Sequence, residues 1–174
     1  MIPDMSLEIE RKFLVANEGW KPAVRSVRIR DGLIANNKGH KARVRIANDV
    51  ATIALKSRRR GLVRSEFEYA IPYADAEEML RTMCDGNVLD KVRHFVSYEG
   101  NNWYIDVYEG VLSGVVLAEI ELADAGQEFA LPGWIGAEVT SNPRYRKISM
   151  LADRVANQKS ADTELLVRAG EAME

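Results

Sequence analysis

The side chains in this chain best equipped for chemistry are charged, and they recur at every second position. Taken by parity, its strand-like segments contribute Glu8, Glu10 and Lys12, then Arg28 and Arg30, Arg43 and Arg45, Lys56, and Arg64, Glu66 and Glu68. Lys91 and Arg93, Asp106, and Glu119 and Glu121 complete the set. Like charges at i and i+2 lie about 7 Å apart on one face of a strand and repel unless a counter-charge sits between them. Acid pairs beside base pairs provide that counter-charge. Such a face has two chemical capacities: carboxylates offer hard oxygen donors to divalent cations, and lysines and arginines grip phosphates. The plain alternative is a solvated outer face around an apolar interior, and alternation alone does not separate the two. Zinc chemistry has little support, because the chain holds only His40, His94 and Cys84, and His94 has the opposite parity to Lys91 and Arg93.

Strands must position these groups. Leu7 and Ile9, then Phe13 and Val15, alternate with the first charges, and the same period marks about 24–35, 41–48, 50–58, 62–71, 88–99, 102–109 and 115–122. Turn-formers separate them, as at Asn36-Asn37-Lys38-Gly39, Asn48-Asp49 and Gly100-Asn101-Asn102. The expected fold class is α+β, mainly antiparallel β: eight strands in meandering order closing into a barrel. Segments 73–84 and 144–155 carry apolar residues at three- and four-residue spacing, so two helices are expected to cover the barrel from outside. Within the first of them Cys84 follows Met79, Leu80 and Met83 and reads as a small core residue.

With 174 residues, a single domain over 1–174 is expected, with a core at about 5–155 and a tail or short terminal helix over 160–174. Hydrophobic residues at 47% and charged residues at 29% exclude a disordered chain, and a formal charge of -2 advertises neither a nucleic-acid nor a membrane partner. Lys56-Ser57-Arg58-Arg59-Arg60-Gly61 is accordingly read as solvated charge at a hairpin tip. A single cysteine rules out an internal disulfide, and Met1-Ile2-Pro3-Asp4-Met5 lacks the features of a secretory signal. No run approaches the roughly 20 apolar residues of a spanning helix, so a cytoplasmic protein, monomer or homodimer, is expected.

Several ordered segments carry a resemblance. Glu8-Ile9-Glu10-Arg11-Lys12-Phe13-Leu14-Val15 is followed by Arg43-Val44-Arg45, Leu55-Lys56-Ser57, Glu66-Phe67-Glu68-Tyr69, Lys91-Val92-Arg93 and Trp103-Tyr104-Ile105-Asp106-Val107-Tyr108. Ala118-Glu119-Ile120-Glu121, and Glu138-Val139-Thr140 through Arg144-Tyr145, close the series. Together they resemble the CYTH domain, or triphosphate tunnel metalloenzyme, family, whose N-terminal signature is ExExK. The resemblance covers about 5–155 and implies a charge-lined antiparallel tunnel that holds a triphosphate-bearing small molecule and Mg²⁺ or Mn²⁺. It implies Glu8, Glu10, Asp106, Glu119 and Glu121 as metal ligands, and Lys12, Arg30, Arg43, Arg45, Lys56, Lys91, Arg93 and Arg144 as phosphate contacts. Lys56 and Lys91 are the candidates for proton handling, Lys91 foremost.

Two departures bear on substrate. Where the family has Arg-x-Gly-Tyr, this chain has Arg30-Asp31-Gly32-Leu33, so the phenol of thiamine-triphosphate-specific members is absent. Arg144-Tyr145-Arg146-Lys147 resembles the family's Arg-Tyr-Lys-Asn run but ends in lysine, whose role stays open, as do those of Glu66 and Glu68. The expected activity is hydrolysis of inorganic triphosphate. The alternatives are a class IV-like adenylate cyclase and a non-catalytic polyphosphate- or nucleotide-binding module.

Overall fold

A computed structural model describes residues 7–157 of the chain. Its strands are β1 (Leu7–Val15), β2 (Arg25–Asn37), β3 (His40–Ala47), β4 (Val50–Lys56), β5 (Val63–Ala70), β6 (Val88–Tyr98), β7 (Asn101–Tyr108), β8 (Val116–Glu121) and β9 (Ile135–Glu138). Helix α1 spans Tyr73–Thr82, two short 3₁₀ helices span Gly110–Leu112 and Pro143–Tyr145, and a second helix, α2, runs over 147–157. The tail or helix expected over 160–174 lies outside the described residues.

All pairings are antiparallel, in the order β5-β4-β3-β2-β6-β7-β8-β1, and β1 closes the ring by pairing Leu7 with Ser65, Glu8 with Arg64 and Ile9 with Val63. A closed eight-stranded barrel results. The order departs from a simple meander, since β6 pairs with β2 and not with β5, and α1 lies between β5 and β6 in the chain. The short β9, which sequence alternation does not reveal, adds to the far half of β1 through Phe13 and Val15. Tight turns set the register: Lys38 and Gly39, both at positive φ, are the two residues between β2 and β3, the backbone that a type I′ hairpin demands.

Two apolar layers coat the outside. Ala76 and Leu80 of α1, with Cys84 just beyond its end, pack against Val44, Ile46 and Ala51 of β3 and β4. Gly32 makes that approach possible, because a Cβ there would lie 2.5 Å from the Cys84 Sγ. Over β1, β7 and β8, Phe13, Trp103, Ile105 and Ile120 pack against Trp20 and Trp134 from the connecting segments. The second helix does not cover the outside as expected. Met150 and Leu151 of α2 join Leu89, Tyr108 and Leu117, residues that share strand parity with Lys91, Asp106 and Glu119 and therefore point inward. One end of the barrel is thus plugged by α2, and the charged remainder is left as a cavity.

Candidate active site

The cavity has a volume of 1210 Å³, and its walls carry Glu8, Glu10 and Lys12 of β1, Lys41, Arg43 and Arg45 of β3, Lys56 of β4, and Arg64, Glu66 and Glu68 of β5. Arg93 of β6, Glu119 and Glu121 of β8, and Arg146 and Lys147 at the start of α2 complete the ring. With Lys38, Arg58 and Arg59 at the hairpin tips, twelve basic side chains face six acidic ones in a chain of net charge -2. A surplus of that sign inside an acidic protein calls for an anion.

Strand register pairs most of these charges with opposites directly across the ladder. Lys12 meets Glu119 at 3.0 Å, Lys56 meets Glu66 at 2.7 Å, Arg93 meets Asp106 at 2.8 Å, and Glu8 takes Arg64 in a two-point contact, its second bond 2.7 Å long. Burial would raise the Glu8 carboxyl, but Arg64 and Lys56 hold it well below the ordinary carboxylate range. The Lys12 ammonium, which burial would lower, is driven above its usual range by Glu119 and Glu10. Two juxtapositions break the rule. Glu10 stands opposite Glu121, and Lys41 stands opposite Lys56. Among the described residues no cation lies within ion-pairing distance of Glu121, whose carboxyl is pushed up by burial and then by Glu10. Lys41 has no acidic partner among them either, and burial, followed by Arg64, Arg43, Arg146 and Lys56, pulls its pKa down to about 8.

The sequence is 38% identical, over 155 residues, to an inorganic triphosphatase of Acetivibrio thermocellus, a match that spans 89% of this chain and 99% of that protein. The chain belongs to the CYTH, or triphosphate tunnel metalloenzyme, family. An inorganic triphosphatase of Nitrosomonas europaea is 35% identical over 145 residues, which is 80% of this chain and 93% of that one. A crystal structure of an inorganic triphosphatase superposes with a TM-score of 0.61 at 30% identity, covering 83% of this chain and 93% of the other. A Pyrococcus horikoshii protein, 20% identical with a TM-score of 0.53 over 68% of this chain and 80% of its own, shares the fold. No family model matches the sequence.

Within this triphosphate tunnel, nine of the residues expected at the site line the wall: Glu8, Glu10, Lys12, Arg43, Arg45, Lys56, Arg93, Glu119 and Glu121. Four do not. Arg30 points outward and pairs with Glu77 of α1 at 2.7 Å, and Arg28 likewise reaches Glu109 outside. In β2 the inward parity belongs to Ile29, Asp31 and Leu33, so the charged alternation read there is one residue out of phase with the neighbouring strands. Lys91 and Asp106 do point inward but are fully buried and joined to each other, with Arg93 taking both Asp106 oxygens. Asp106 thus accepts one charged hydrogen bond on Oδ1 and two on Oδ2, and neither it nor Lys91 lines the cavity. Arg144 is exposed on a 3₁₀ turn, and Arg146 and Lys147 take the wall positions expected of it. Lys41 and Asp31 were legible only in part. Lys41 lies on the parity of Arg43 and Arg45, while Asp31 falls where the β2 alternation fails.

Cys84 is buried beneath α1, away from the cavity, and His94 packs its ring 4.8 Å from Trp20 on the outer wall. Neither takes part in the tunnel's chemistry. No helix among the described residues is long and apolar enough to cross a membrane.

Proposed function

We propose that this enzyme hydrolyses inorganic triphosphate to pyrophosphate and phosphate in the barrel cavity, with Mg²⁺ or Mn²⁺ on its acidic side. One observation carries the reading: the same cavity holds an opposed acid pair, Glu10 with Glu121, and an opposed basic pair, Lys41 with Lys56. Like charges set directly across an antiparallel ladder are destabilising. Lys56 is held by Glu66 and Glu8, and Glu10 has Lys12 and Arg59 at 3.8 Å, so Glu121 and Lys41 are the unmatched members, and a ligand that brings a cation to the first and polyphosphate to the second relieves both.

The donor set fits such an ion. Glu10 and Glu121 offer hard oxygens, and Glu8 and Glu119 stand on the same wall, already neutralised in part by Arg64, Lys12 and Arg93. Among the described residues no three acidic, histidine or cysteine side chains converge on one point, which accords with Mg²⁺ taking much of its shell from water and phosphate oxygens. When bound, the ion supplies Lewis-acid stabilisation of charge on those oxygens.

The chain's own residues do the rest. Arg43, Arg45 and Arg93 present guanidinium edges fixed from behind by Asp31, Asp106 and Glu119, so they meet developing phosphate charge without reorganising. Lys12, Lys41, Lys56 and Arg146 add point charges along the wall. Phosphoryl transfer to water asks for positioning and charge stabilisation, not a protein nucleophile. Leu33 occupies the wall where thiamine-triphosphate-specific members carry a phenol, which favours the bare polyphosphate. The reading includes a cytoplasmic setting, in which Cys84 remains a thiol. Steady-state rates on tripolyphosphate, ATP and thiamine triphosphate test it: tripolyphosphate should have the highest kcat/KM by at least about 10-fold. Equal efficiency on thiamine triphosphate would remove Leu33 as a determinant, and greater efficiency on ATP would overturn the substrate.

A further inference from the structure

We infer that Asp31 is a positioning residue for the triphosphate reaction, aiming Arg43 and Arg45 into the cavity and tying α2 to the barrel through Lys147. The inference rests on the function proposed above. Asp31 is 1% exposed and does not itself line the cavity, whereas Arg43, Arg45 and Lys147 do. It acts behind the wall.

The geometry divides its two oxygens. Oδ1 accepts from Arg43 through Nε at 2.6 Å and through Nη2. Oδ2 accepts from Arg45 through Nε at 3.3 Å and Nη2 at 3.1 Å, and from Lys147 Nζ at 3.1 Å. A guanidinium has five N–H donors in a rigid fork. Each arginine spends its Nε and Nη2 edge on Asp31 and keeps the Nη1 edge for a ligand. Burial would raise the Asp31 carboxyl, but Lys147, Arg43, Arg45 and Lys91 hold it well below the usual range, so the anion persists.

Two guanidinium cations around one carboxylate leave an excess of positive charge suited to a phosphate group that Asp31 itself does not touch, and Asp31 opposes the burial that pulls the Lys147 ammonium well below its usual range. Without the carboxylate these cations repel, and the arginine forks lose their aim. Lys147 also opens α2, whose Met150 and Leu151 plug the barrel, so the same anion sets the seat of the plug. Arg45 stands opposite Asp31 in the β2–β3 register, which places the contact by the fold and not by side-chain reach alone.

Asp31→Asn keeps the shape and removes the charge. Its kcat on tripolyphosphate should fall at least about 10-fold, the scale of misaimed catalytic groups, while KM stays level or drops because a negative charge has left the ground behind the basic wall. Lys147→Met should lower kcat as well. In the double variant the loss should be smaller than the product of the two, since both act through one contact. Metal-free binding of tripolyphosphate, followed by calorimetry, should be retained or tighter in Asp31→Asn. A kcat within about twofold of wild type, a raised KM at unchanged kcat, or fully multiplicative losses overturns the inference. Should Asp31→Asn not fold, Lys147→Met with an unchanged kcat overturns it instead. Wild-type protein inert on tripolyphosphate would defeat the proposed function along with this inference, whereas an active wild type matched by Asp31→Asn defeats the inference only.

Discussion

Lys41 is a lysine set among cations, and that setting gives the cavity a pH limit. As pH rises through about 8 its ammonium deprotonates, and the free cavity loses one of the charges that draws polyphosphate in. kcat/KM on tripolyphosphate should therefore decline above that pH, the limb belonging to the free enzyme. Lys41→Arg, whose charge persists, should move the limb upward, and an unchanged profile would assign it elsewhere. Glu121 poses the opposite case. Its repulsion with Glu10 costs stability, so Glu121→Gln should raise the metal-free folding stability by about 0.2–1 kcal/mol while bringing turnover close to background. Melting curves and rates on the same preparation check both halves, and a destabilised yet active variant would contradict them. Lys91 and Asp106 point inward as their parity indicates, but parity reports a face and not a depth, and both are fully buried. Breaking this buried pair by Lys91→Met should cost about 3–5 kcal/mol of stability and leave the alkaline limb in place. Loss of the limb would return Lys91 to a titrating role.

At the scale of elements, alternation located the eight barrel strands to within a few residues, because a strand with one apolar and one charged face has a period that nothing else imitates. β2 was the exception in phase. Its outer face carries Arg28 and Arg30 paired to Glu109 and Glu77, so charge there marks the solvent side, and Gly32 gives no side-chain signal where α1 presses closest. β9 is four residues long and includes Gly136, too short for a period to show. The helical spacing of 144–155 disclosed an apolar face but not its destination. A clue was present in Leu89, Tyr108 and Leu117, which continue the inward parity as apolar residues and so mark one end of the tunnel as dry. Leu151→Ala should consequently behave as a core truncation, destabilising by about 2–5 kcal/mol, whereas an exposed cover residue would cost far less. Chemical denaturation distinguishes the two, and a change below 1 kcal/mol, the small effect usual for a surface site, would contradict the plug.

For the whole molecule, closure is what turns alternating charge into a site. The β1–β5 pairing joins the ends of the eight-stranded sheet, leaves only the short β9 as an edge, and converts one face of each barrel strand into an interior that must satisfy its own charges. Most do so in ion pairs, and Glu121, set opposite Glu10, and Lys41, set opposite Lys56, do not, which suits that interior to a cation and an anion bound together. The resemblance in the sequence anticipated the tunnel fold and the inorganic triphosphatase relatives. It did not anticipate that Asp31 organises the basic wall, because that position carries no signature in the motif. Metal-dependent hydrolysis in this tunnel is tested most directly by the fate of tripolyphosphate itself, followed by ³¹P resonance with Mg²⁺ or Mn²⁺ present and again with excess chelator. Phosphate and pyrophosphate should appear in equal amounts with either metal, with no turnover in chelator; undiminished turnover in chelator, or an inert tripolyphosphate beside ATP converted to a cyclic nucleotide, would contradict metal-dependent triphosphate hydrolysis.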